Sequence, residues 1–225
     1  MCGRYSFAPA ANFAERFHIE EQQLPLLPRY NVAPSQAMPV IVRNSPNRVV
    51  KMTWGLIPSW SKEPRTKFST INARAETITS SAVFRGPFKG RRCLVPASGF
   101  YEWRQTGQDK QPYYIRLQSG ELFAFAGLYD IWRDADGQEL YTYTIITTTP
   151  NDLVAPIHNR MPAILCSDDE DVWLDKETDP ARLLSLLAPY PAGEMEAYQV
   201  SRAVNNPANE GAKLMQPAAT SPSDA

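Results

Sequence analysis

The sequence contains few of the residues that build disulfide frameworks and metal centres. Among its 225 residues there are three cysteines and two histidines. The cysteines, Cys2, Cys93 and Cys166, are odd in number and far apart, and no C-x-x-C pair occurs. Because a disulfide framework or a zinc site needs paired or clustered ligands, we expect neither, and we expect no metal and no other cofactor.

Long hydrophobic segments are also missing from the sequence. No apolar run approaches the roughly 20 residues that a bilayer-spanning helix needs, and the N-terminus has no basic stretch followed by an apolar one. We therefore expect a cytoplasmic protein that is neither secreted nor bound to a membrane. The hydrophobic content of 43% is that of a globular protein, and the length is ample for a core.

The sequence has almost no net charge, but its charges are unevenly distributed. The net charge of −1 on its own argues against a nucleic-acid partner. The segment 43–92, however, has eleven Lys and Arg against two Asp and Glu, whereas the segment 166–196 has nine Asp and Glu against two Lys and Arg. One basic face would attract a polyanion despite the neutral total. Alternatively, the basic side chains point to opposite faces of strands and cancel in space.

The spacing of β-type runs and turns predicts the fold class. Twenty prolines argue against an all-α bundle. The segments 106–109, 118–120 and 134–137 have the composition of hairpin connections. We therefore predict an α+β fold in one domain, residues 1–216, with a predominantly antiparallel, strongly curved sheet or barrel-like core. We expect strands at 38–42, 48–54, 93–96, 100–104, 113–117, 122–132, 141–148, 162–165 and 195–200.

Short helices are expected to flank this core. At the start of the last predicted helix, Asp179 takes the cap position and Pro180 the first helical position. The segment 55–60 is predicted to be a loop that carries large apolar side chains, and residues 217–225, rich in Pro, Ala, Ser and Thr, to be a disordered tail. We expect helices at 10–17, 73–77, 151–157, 168–174 and 179–187.

The N-terminal sequence Met1-Cys2-Gly3-Arg4 predicts reactive chemistry. Removal of Met1 would leave Cys2 with a free amine, of pKa roughly 7.7–8.0, beside a thiol of pKa roughly 8.5 that is partly thiolate. With an aldehyde, the amine forms an imine and the neighbouring sulfur closes a five-membered thiazolidine in an intramolecular step. The alternative is that Cys2 is an ordinary buried cysteine.

Three further segments carry side chains with two interpretations each. Glu102, between two aromatic residues, is either a general acid/base with a raised pKa or an outward-facing strand residue. His158 is a proton shuttle or a core histidine. Asn72 orients a ligand or caps the helix predicted after it. Arg74 and Arg160 bind phosphate or pair with surface carboxylates.

These segments together resemble the SOS-response-associated peptidase (SRAP) family. The resemblance covers nearly the whole chain, and several unrelated motifs in a fixed order are far more specific than any one of them. It implies the SRAP fold and a protein of the DNA-damage response that shields abasic sites in single-stranded DNA through a covalent thiazolidine. The motifs, in chain order, are MCGRY, RYNVAP, TWGLIPSW, INARAET, CLVPASGFYEW, QPYYI, FAGLYD, IHNRMP, SRAVNN and GAKLMQP.

The resemblance also implies a role for individual residues. Cys2 matches the family's nucleophile and Asn72 the residue that contacts the abasic sugar. Glu102 matches the acid/base carboxylate and His158 the histidine that helps to open the sugar ring. The residues that match DNA-binding positions are Arg4, Pro34, Trp60, Arg74, Trp103 and Arg160.

The implied DNA contacts differ in kind. The arginines match phosphate or active-site contacts, and Pro34 and Trp60 match loop residues that pack against bases. The chain has a single tryptophan at this point, where some members of the family carry consecutive ones. The expected partner is single-stranded DNA with abasic sites, with replication-associated proteins as candidate partners. We expect a monomer that acts in association with the bacterial nucleoid.

Two other functions remain open from the sequence. One is a cysteine peptidase that uses Cys2, including autocatalytic removal of the residue before it, and abasic-site lyase activity is a related possibility. The other is a plain single-stranded DNA-binding module in which Cys2 is incidental. Stable attachment to abasic DNA distinguishes both from the crosslinking protein, because only crosslinking needs the amine and the thiol together.

Overall fold

The computed structural model describes residues 2–20, 24–44, 46–64, 66 and 69–218, and the strands and helices below are those of the described residues. The α-helices are α1 (Phe13–Arg16), α2 (Arg85–Gly90), α3 (Glu170–Leu174) and α4 (Pro180–Ser185). The strands are β1 (Tyr5–Phe7), β2 (Arg29–Val32), β3 (Ala37–Val42), β4 (Arg48–Trp54), β5 (Asn72–Arg74), β6 (Arg92–Ala97), β7 (Gly99–Thr106), β8 (Asp109–Leu117), β9 (Phe123–Arg133), β10 (Glu139–Thr148), β11 (Met161–Pro162), β12 (Ile164–Leu165) and β13 (Met195–Gln199).

Two sheets form the molecule, and the larger one closes on itself. The smaller sheet has the strand order β13-β8-β7-β1-β2. The larger sheet follows the order β11-β10-β4-β3-β6-β9-β12, and β9 also pairs with β10. Strands β10, β4, β3, β6 and β9 therefore close a ring, which removes the unpaired edges of an open sheet. The predicted curved, barrel-like fold of largely antiparallel strands is confirmed.

The strand connections differ from the prediction at two points. The segment 118–120 was expected to be a hairpin, but it crosses from β8 in one sheet to β9 in the other, so that prediction is wrong. Strand β10 also pairs in parallel with β4 and with β5, which the turn pattern did not indicate. The hairpin at 134–137 is confirmed by the pairing of Arg133 with Glu139.

The short flanking elements agree with the prediction only in part. Asp179 accepts a hydrogen bond from the backbone N–H of Ala181 at 2.8 Å, which confirms the predicted cap of α4. The predicted helix at 151–157 is wrong, because this segment forms successive turns and Pro156 has no N–H to continue a helical ladder. The single strand expected at 162–165 is two strands, β11 and β12, which pair with β10 and β9 respectively.

A buried aromatic cluster connects the core to the strand that carries Asn72. The hydroxyl groups of Tyr5 and Tyr143 are 2.8 Å apart, and the rings of Tyr5 and Trp54 have centroids 5.2 Å apart. The indole N–H of Trp54 donates to the carbonyl of Ile71 at 2.8 Å, which fixes the start of β5. Polar groups of aromatic residues need such partners when they are buried.

The C-terminal end of the described chain is paired with β13. Pro217 forms an isolated bridge with Val200, and the N–H of Ala218 donates to the carbonyl of Gln199 at 2.8 Å. The rest of the predicted tail, residues 219–225, lies outside the described residues, as does Met1, so the predicted removal of Met1 remains a prediction. Among the helices that the structure describes, none has the length and apolar character needed to span a membrane.

Candidate active site

Glu102 lies on β7, and its carboxyl group is buried. The residue is 2% exposed, so the interpretation as an outward-facing strand residue is wrong. Strand β7 is covered on both faces at this point, because Tyr101 belongs to a second apolar cluster on the other side. Burial raises the pKa of the Glu102 carboxyl to about 7. At neutral pH the group is therefore present both as an acid and as a base.

Cys2 is brought to Glu102 by the pairing of β1 with β7. Tyr5 pairs with Phe100, and one residue further along, the N–H of Tyr101 donates to the carbonyl of Arg4 at 3.0 Å. Antiparallel strands carry this register onward, so the residues before Arg4 run alongside those after Tyr101. Cys2 is fully buried there, and its Sγ lies 3.9 Å from the carbonyl oxygen of Arg4.

The surroundings of Cys2 favour the protonated form of its thiol. Burial raises its pKa well above the ordinary value, and the negative charge of Glu102 raises it further. The sequence-based expectation of a partly ionised thiol used a solvated reference value, which burial shifts toward the protonated form. A base must accept the thiol proton when the sulfur reacts, and the neighbouring carboxylate of Glu102 is suited to this.

Glu102 and His158 share one cleft. The cleft has a volume of about 360 Å³ and is lined by Glu102, Trp103, Lys110, His158 and Asn205. The backbone N–H of Arg160 donates to Nδ1 of His158 at 3.1 Å. Burial lowers the pKa of His158, and the positive charges of Arg160 and Lys110 lower it further. Its imidazolium form is therefore less populated at neutral pH than in a solvated histidine, but it is a stronger acid.

Asn72 is the first residue of β5 and is almost completely buried. Its Nδ2 donates to the carbonyl of Ile145 at 3.4 Å, whereas its Oδ1 has no hydrogen-bond partner among the described residues. The cap interpretation is wrong, since Arg74 precedes the 3₁₀ turn at Ala75–Thr77 and no side chain caps it. A buried acceptor without a partner destabilises a protein by about 1–3 kcal/mol. This favours the interpretation that Asn72 orients a ligand.

The two arginines near Asn72 differ in their surroundings. Arg160 forms an ion pair with Glu76, in which Nη2 lies 2.9 Å from Oε2, and it also donates to the carbonyl of Thr147 at 2.6 Å. This pairing lowers the pKa of Glu76. Arg74, on β5, is exposed, and its side chain makes no hydrogen bond or ion pair with another described residue. Arg74 is thus the more available of the two for a phosphate.

Trp60 is presented to solvent by a fixed loop. Its side chain is 65% exposed, which is unusual for a large aromatic residue. The backbone N–H of Ser59, beside it, donates to Oδ2 of Asp130 at 3.0 Å, and the indole N–H of Trp132 donates to the carbonyl of Ser61 at 2.8 Å. The loop is therefore held on both sides of Trp60. Pro34 precedes Ser35, whose N–H donates to the carbonyl of Trp54 at 2.8 Å.

Arg4 and Trp103 make contacts that the sequence did not indicate. Nη1 of Arg4 donates to Oδ1 of Asn31 and to the carbonyl of Val204, both at 2.7 Å. The guanidinium lies 5.9 Å from the ring centroid of Trp103, and the indole N–H of Trp103 donates to Oδ1 of Asn205 at 2.7 Å. Asn31 and Asn205 lie within the motifs RYNVAP and SRAVNN, but an asparagine alone does not reveal which carbonyls it will meet.

Part of the basic segment is paired or buried within the fold. Arg43 pairs with Asp171 of the acidic segment at 2.7 Å, and Arg91 pairs with the buried Asp130 at 3.1 Å. Arg92 is buried and donates to four backbone carbonyls. Two of these three arginines are paired with carboxylates, which supports partial cancellation of the basic charge. Arg65 and Lys67, which belong to the same segment, lie outside the described residues.

The fold and the site together define a barrel-like β protein with a buried cysteine at its N-terminal end, next to a buried carboxylate and near a histidine. Within the described part of the chain, no three His, Cys, Asp or Glu side chains form a group that could hold a metal ion. The profile of the family described as "SOS response associated peptidase (SRAP)" matches residues 1–207. The chain therefore belongs to the SRAP family, as the motifs predicted.

Similar proteins were found among curated sequences and solved structures. The chain is 48% identical over 223 residues to the abasic site processing protein YoqW of Bacillus subtilis, with 96% of this chain and 99% of that protein covered. It is 37% identical over 223 residues to the abasic site processing protein HMCES of Gallus gallus, with 84% of this chain and 66% of that protein covered. A crystal structure of a Bacteroides thetaiotaomicron protein matches with a TM-score of 0.88 at 32% identity, covering 97% of this chain and 100% of that one.

Proposed function

We propose that this chain processes abasic sites by capturing them covalently in single-stranded DNA. The observation that carries the proposal is the buried carboxylate of Glu102, whose pKa of about 7 suits proton transfer beside Cys2 and in the cleft that also holds His158. The names of the relatives as abasic site processing proteins support the same substrate. The predicted domain boundary, the monomeric state and the replication-associated partners remain predictions.

The proposed reaction has three steps, which balance with the release of one water. First, His158 delivers a proton to the ring oxygen of the abasic sugar, the ring C–O bond breaks, and the proton of the anomeric hydroxyl returns to the imidazole, which gives an open-chain aldehyde and a hydroxyl. Second, the amine of Cys2, freed by removal of Met1, adds to the aldehyde carbon, and loss of water gives an imine. Third, Sγ of Cys2 bonds to the imine carbon while the thiol proton passes through Glu102 to the nitrogen, which closes the thiazolidine.

The remaining predicted residues would hold the DNA. The unpartnered Oδ1 of Asn72 accepts a hydrogen bond from a sugar hydroxyl, which satisfies a buried polar atom. The exposed ring of Trp60, together with Pro34, stacks on bases, and Trp103 contributes an aromatic wall of the cleft. Stacking and phosphate contacts bind single strands without regard to base sequence, which suits a lesion that can occur anywhere.

A direct experiment separates this function from its alternatives. The purified protein is mixed with single-stranded DNA that contains one abasic site, and the mixture is run on a denaturing gel. A band at the mass of protein plus DNA supports covalent capture. Strand cleavage without such a band would indicate a lyase, and binding without either would indicate a plain DNA-binding module. Cleavage of peptide substrates would be needed to support a peptidase.

Arg74 and Arg160 should differ in their contribution to DNA binding. Replacing Arg74 with alanine should weaken binding to undamaged single strands and lower the slope of log affinity against log salt by about one phosphate contact. Arg160→Ala should lower the slope less, because its charge is already paired with Glu76. Affinities measured over a series of salt concentrations test this.

The matched control for these variants is Arg133→Ala. Arg133 is an exposed arginine that pairs with Glu139 at the β9–β10 hairpin, and its loss should leave the salt slope unchanged. An unchanged slope for Arg74→Ala would contradict the phosphate contact. Equal slopes for Arg74→Ala and Arg160→Ala would show that the Arg160–Glu76 pair opens when DNA binds.

His158 should act before the covalent step. His158→Ala should slow crosslinking to a natural abasic site by about 10²–10⁴-fold, the usual effect of removing a general acid or base. The defect should largely disappear on a substrate whose aldehyde cannot cyclise, because no ring then needs opening. Single-turnover rates on the two substrates measure this directly.

The other histidine provides a control of the same residue type. His18 is exposed and lies 3.7 Å from Asp171 on α3, and His18→Ala should crosslink at the wild-type rate. If His158→Ala is equally slow on both substrates, the residue acts after ring opening and the assignment of the first step is wrong.

A further inference from the structure

The C-terminal strap, defined here as residues 201–209, crosses over the N-terminal segment. Its first residues form a 3₁₀ turn at Arg202–Asn205, which begins where the Ser201 side chain accepts the N–H of Ala203 at 3.2 Å. Val204 is the buried residue of this turn and packs in the second apolar cluster beside Tyr101. The strap is therefore packed against the protein through the buried side chain of Val204.

Asn31 binds the strap at three points. Its Nδ2 lies within hydrogen-bonding distance of the carbonyl groups of Val204, Asn206 and Asn209, at 3.4, 3.0 and 2.9 Å. Its Oδ1 accepts from Arg4. Asn31 is fully buried, so both its donor and its acceptor functions are used within the protein.

Arg4 connects this network to Cys2. Its side chain donates to Asn31 and to the strap through Nη1, and its backbone carbonyl accepts the N–H of Tyr101. The same carbonyl lies 3.9 Å from Sγ of Cys2. Both the backbone and the side chain of Arg4 are thus fixed two residues from the nucleophile, at the end of a chain, where segments are usually poorly ordered.

The other side of the strap reaches the cleft. Asn205 lines the cleft together with Glu102 and His158, and it accepts the indole N–H of Trp103 at 2.7 Å. The strap therefore contacts both the segment that carries Cys2 and the wall next to Glu102. A single hydrogen-bond network therefore fixes Cys2 and Glu102 relative to each other.

We infer that Arg4 and Asn31 are positioning residues, which fasten the N-terminal segment to the strap so that Cys2 is held beside Glu102. This inference rests on the proposed function. It assigns Arg4 to the rate of capture and not to the affinity for DNA, whereas the family resemblance implied a phosphate or active-site contact. A misplacement of about 1 Å can slow a reaction by about 10²-fold, so the network should have a large effect on the rate.

The experiment compares wild type with Arg4→Ala, Arg4→Lys, Asn31→Ala and the Arg4→Ala/Asn31→Ala double variant. Four quantities are measured: the single-turnover crosslinking rate at saturating abasic DNA, the half-saturating DNA concentration, the salt dependence of binding to undamaged DNA, and the thermal unfolding midpoint. Mass spectrometry verifies that Met1 is removed in each protein. Arg133→Ala serves as the matched arginine control and should behave as wild type.

The inference predicts a specific pattern among these variants. Arg4→Ala and Asn31→Ala should each slow crosslinking at saturation by 10-fold or more, with the half-saturating concentration and the salt slope unchanged. The double variant should be no slower than the slower single variant, because both residues act through one network. Arg4→Lys keeps the charge but not the reach and geometry of the guanidinium, so it should retain the salt slope and still crosslink slowly.

Four outcomes would overturn the inference. A salt slope lowered by about one in Arg4→Ala, with wild-type crosslinking in Asn31→Ala, would assign Arg4 to a phosphate. If every variant, Arg4→Lys included, crosslinks slowly and also has a lowered thermal unfolding midpoint, both residues contribute to stability alone. If wild type itself forms no covalent product, the proposed function fails and the inference with it, whereas equal crosslinking by all variants removes the inference alone.

Discussion

Replacing Cys2 with alanine should abolish covalent capture of abasic DNA and leave the affinity for undamaged single strands near that of wild type. The first effect is a complete loss, because no other residue offers an amine and a thiol on adjacent atoms. The second follows because phosphate contacts and stacking supply most of the binding free energy, and Cys2 is buried away from the surface. A denaturing gel and a binding titration on the same samples measure the two effects.

The Cys2→Ser variant separates imine formation by the amine from ring closure by the thiol. This variant keeps the amine, so it should still form an imine that borohydride reduces to a stable product. Without reduction no durable band should survive, because the serine hydroxyl does not give the stable ring. A crosslink from Cys2→Ser as durable as that of wild type would contradict the thiazolidine.

The controls for this prediction address the thiol and the amine separately. Cys166 is an exposed free cysteine, and Cys166→Ala should crosslink as wild type does. An N-terminal tag that is not removed should inactivate the protein, because it converts the amine of Cys2 to an amide. Capture by the tagged protein would show that the amine is not required.

Replacing Glu102 with glutamine should slow capture by about 10²–10⁴-fold, the range expected for loss of a general acid or base. The change keeps the size of the side chain but removes proton transfer. It should slow crosslinking on both the natural and the permanently open aldehyde substrate, unlike His158→Ala. Crosslinks that do form should also reverse more slowly, since reversal passes through the same imine. Capture and release are followed by gel, the latter with excess competitor DNA.

The pH dependence provides a second test of Glu102. Because burial raises the pKa of this carboxyl to about 7, it takes up a proton as the pH falls through that value and can no longer accept one from Cys2. The wild-type rate should therefore fall on acidification through about pH 7. The ratio of the wild-type rate to the Glu102→Gln rate should shrink over the same range, because the variant has no carboxylate to lose.

A matched carboxylate variant completes this experiment. Glu196 on β13 is partly exposed and pairs with Arg116 at 2.6 Å, and it is not among the residues proposed to act on DNA. Glu196→Gln should retain the wild-type rate and pH profile. If Glu102→Gln captures and releases DNA as wild type does, Glu102 has no role in proton transfer, despite its burial.

Several features could be predicted from the sequence because they depend on short stretches of chain. The cap of α4 by Asp179 is a contact between residues two positions apart. The strands β3 and β4 and the hairpin between β9 and β10 follow from alternating apolar residues and from turn residues that lie between them. The candidate chemistry of Cys2 also follows from the sequence, because only the cysteine next to Met1 can combine an N-terminal amine with a thiol, whereas Glu102 is one of 24 Asp and Glu.

The tertiary structure decided which of these groups are buried and what they contact. Glu102 could have faced water, and only the pairing of β1 with β7 and the covering of both faces gave its carboxyl the raised pKa. Arg160 meets Glu76 across 84 residues of chain, and Arg4 meets Val204 across 200. A pKa and a hydrogen-bond partner depend on desolvation and on distance in space, which a sequence does not contain until the chain is folded.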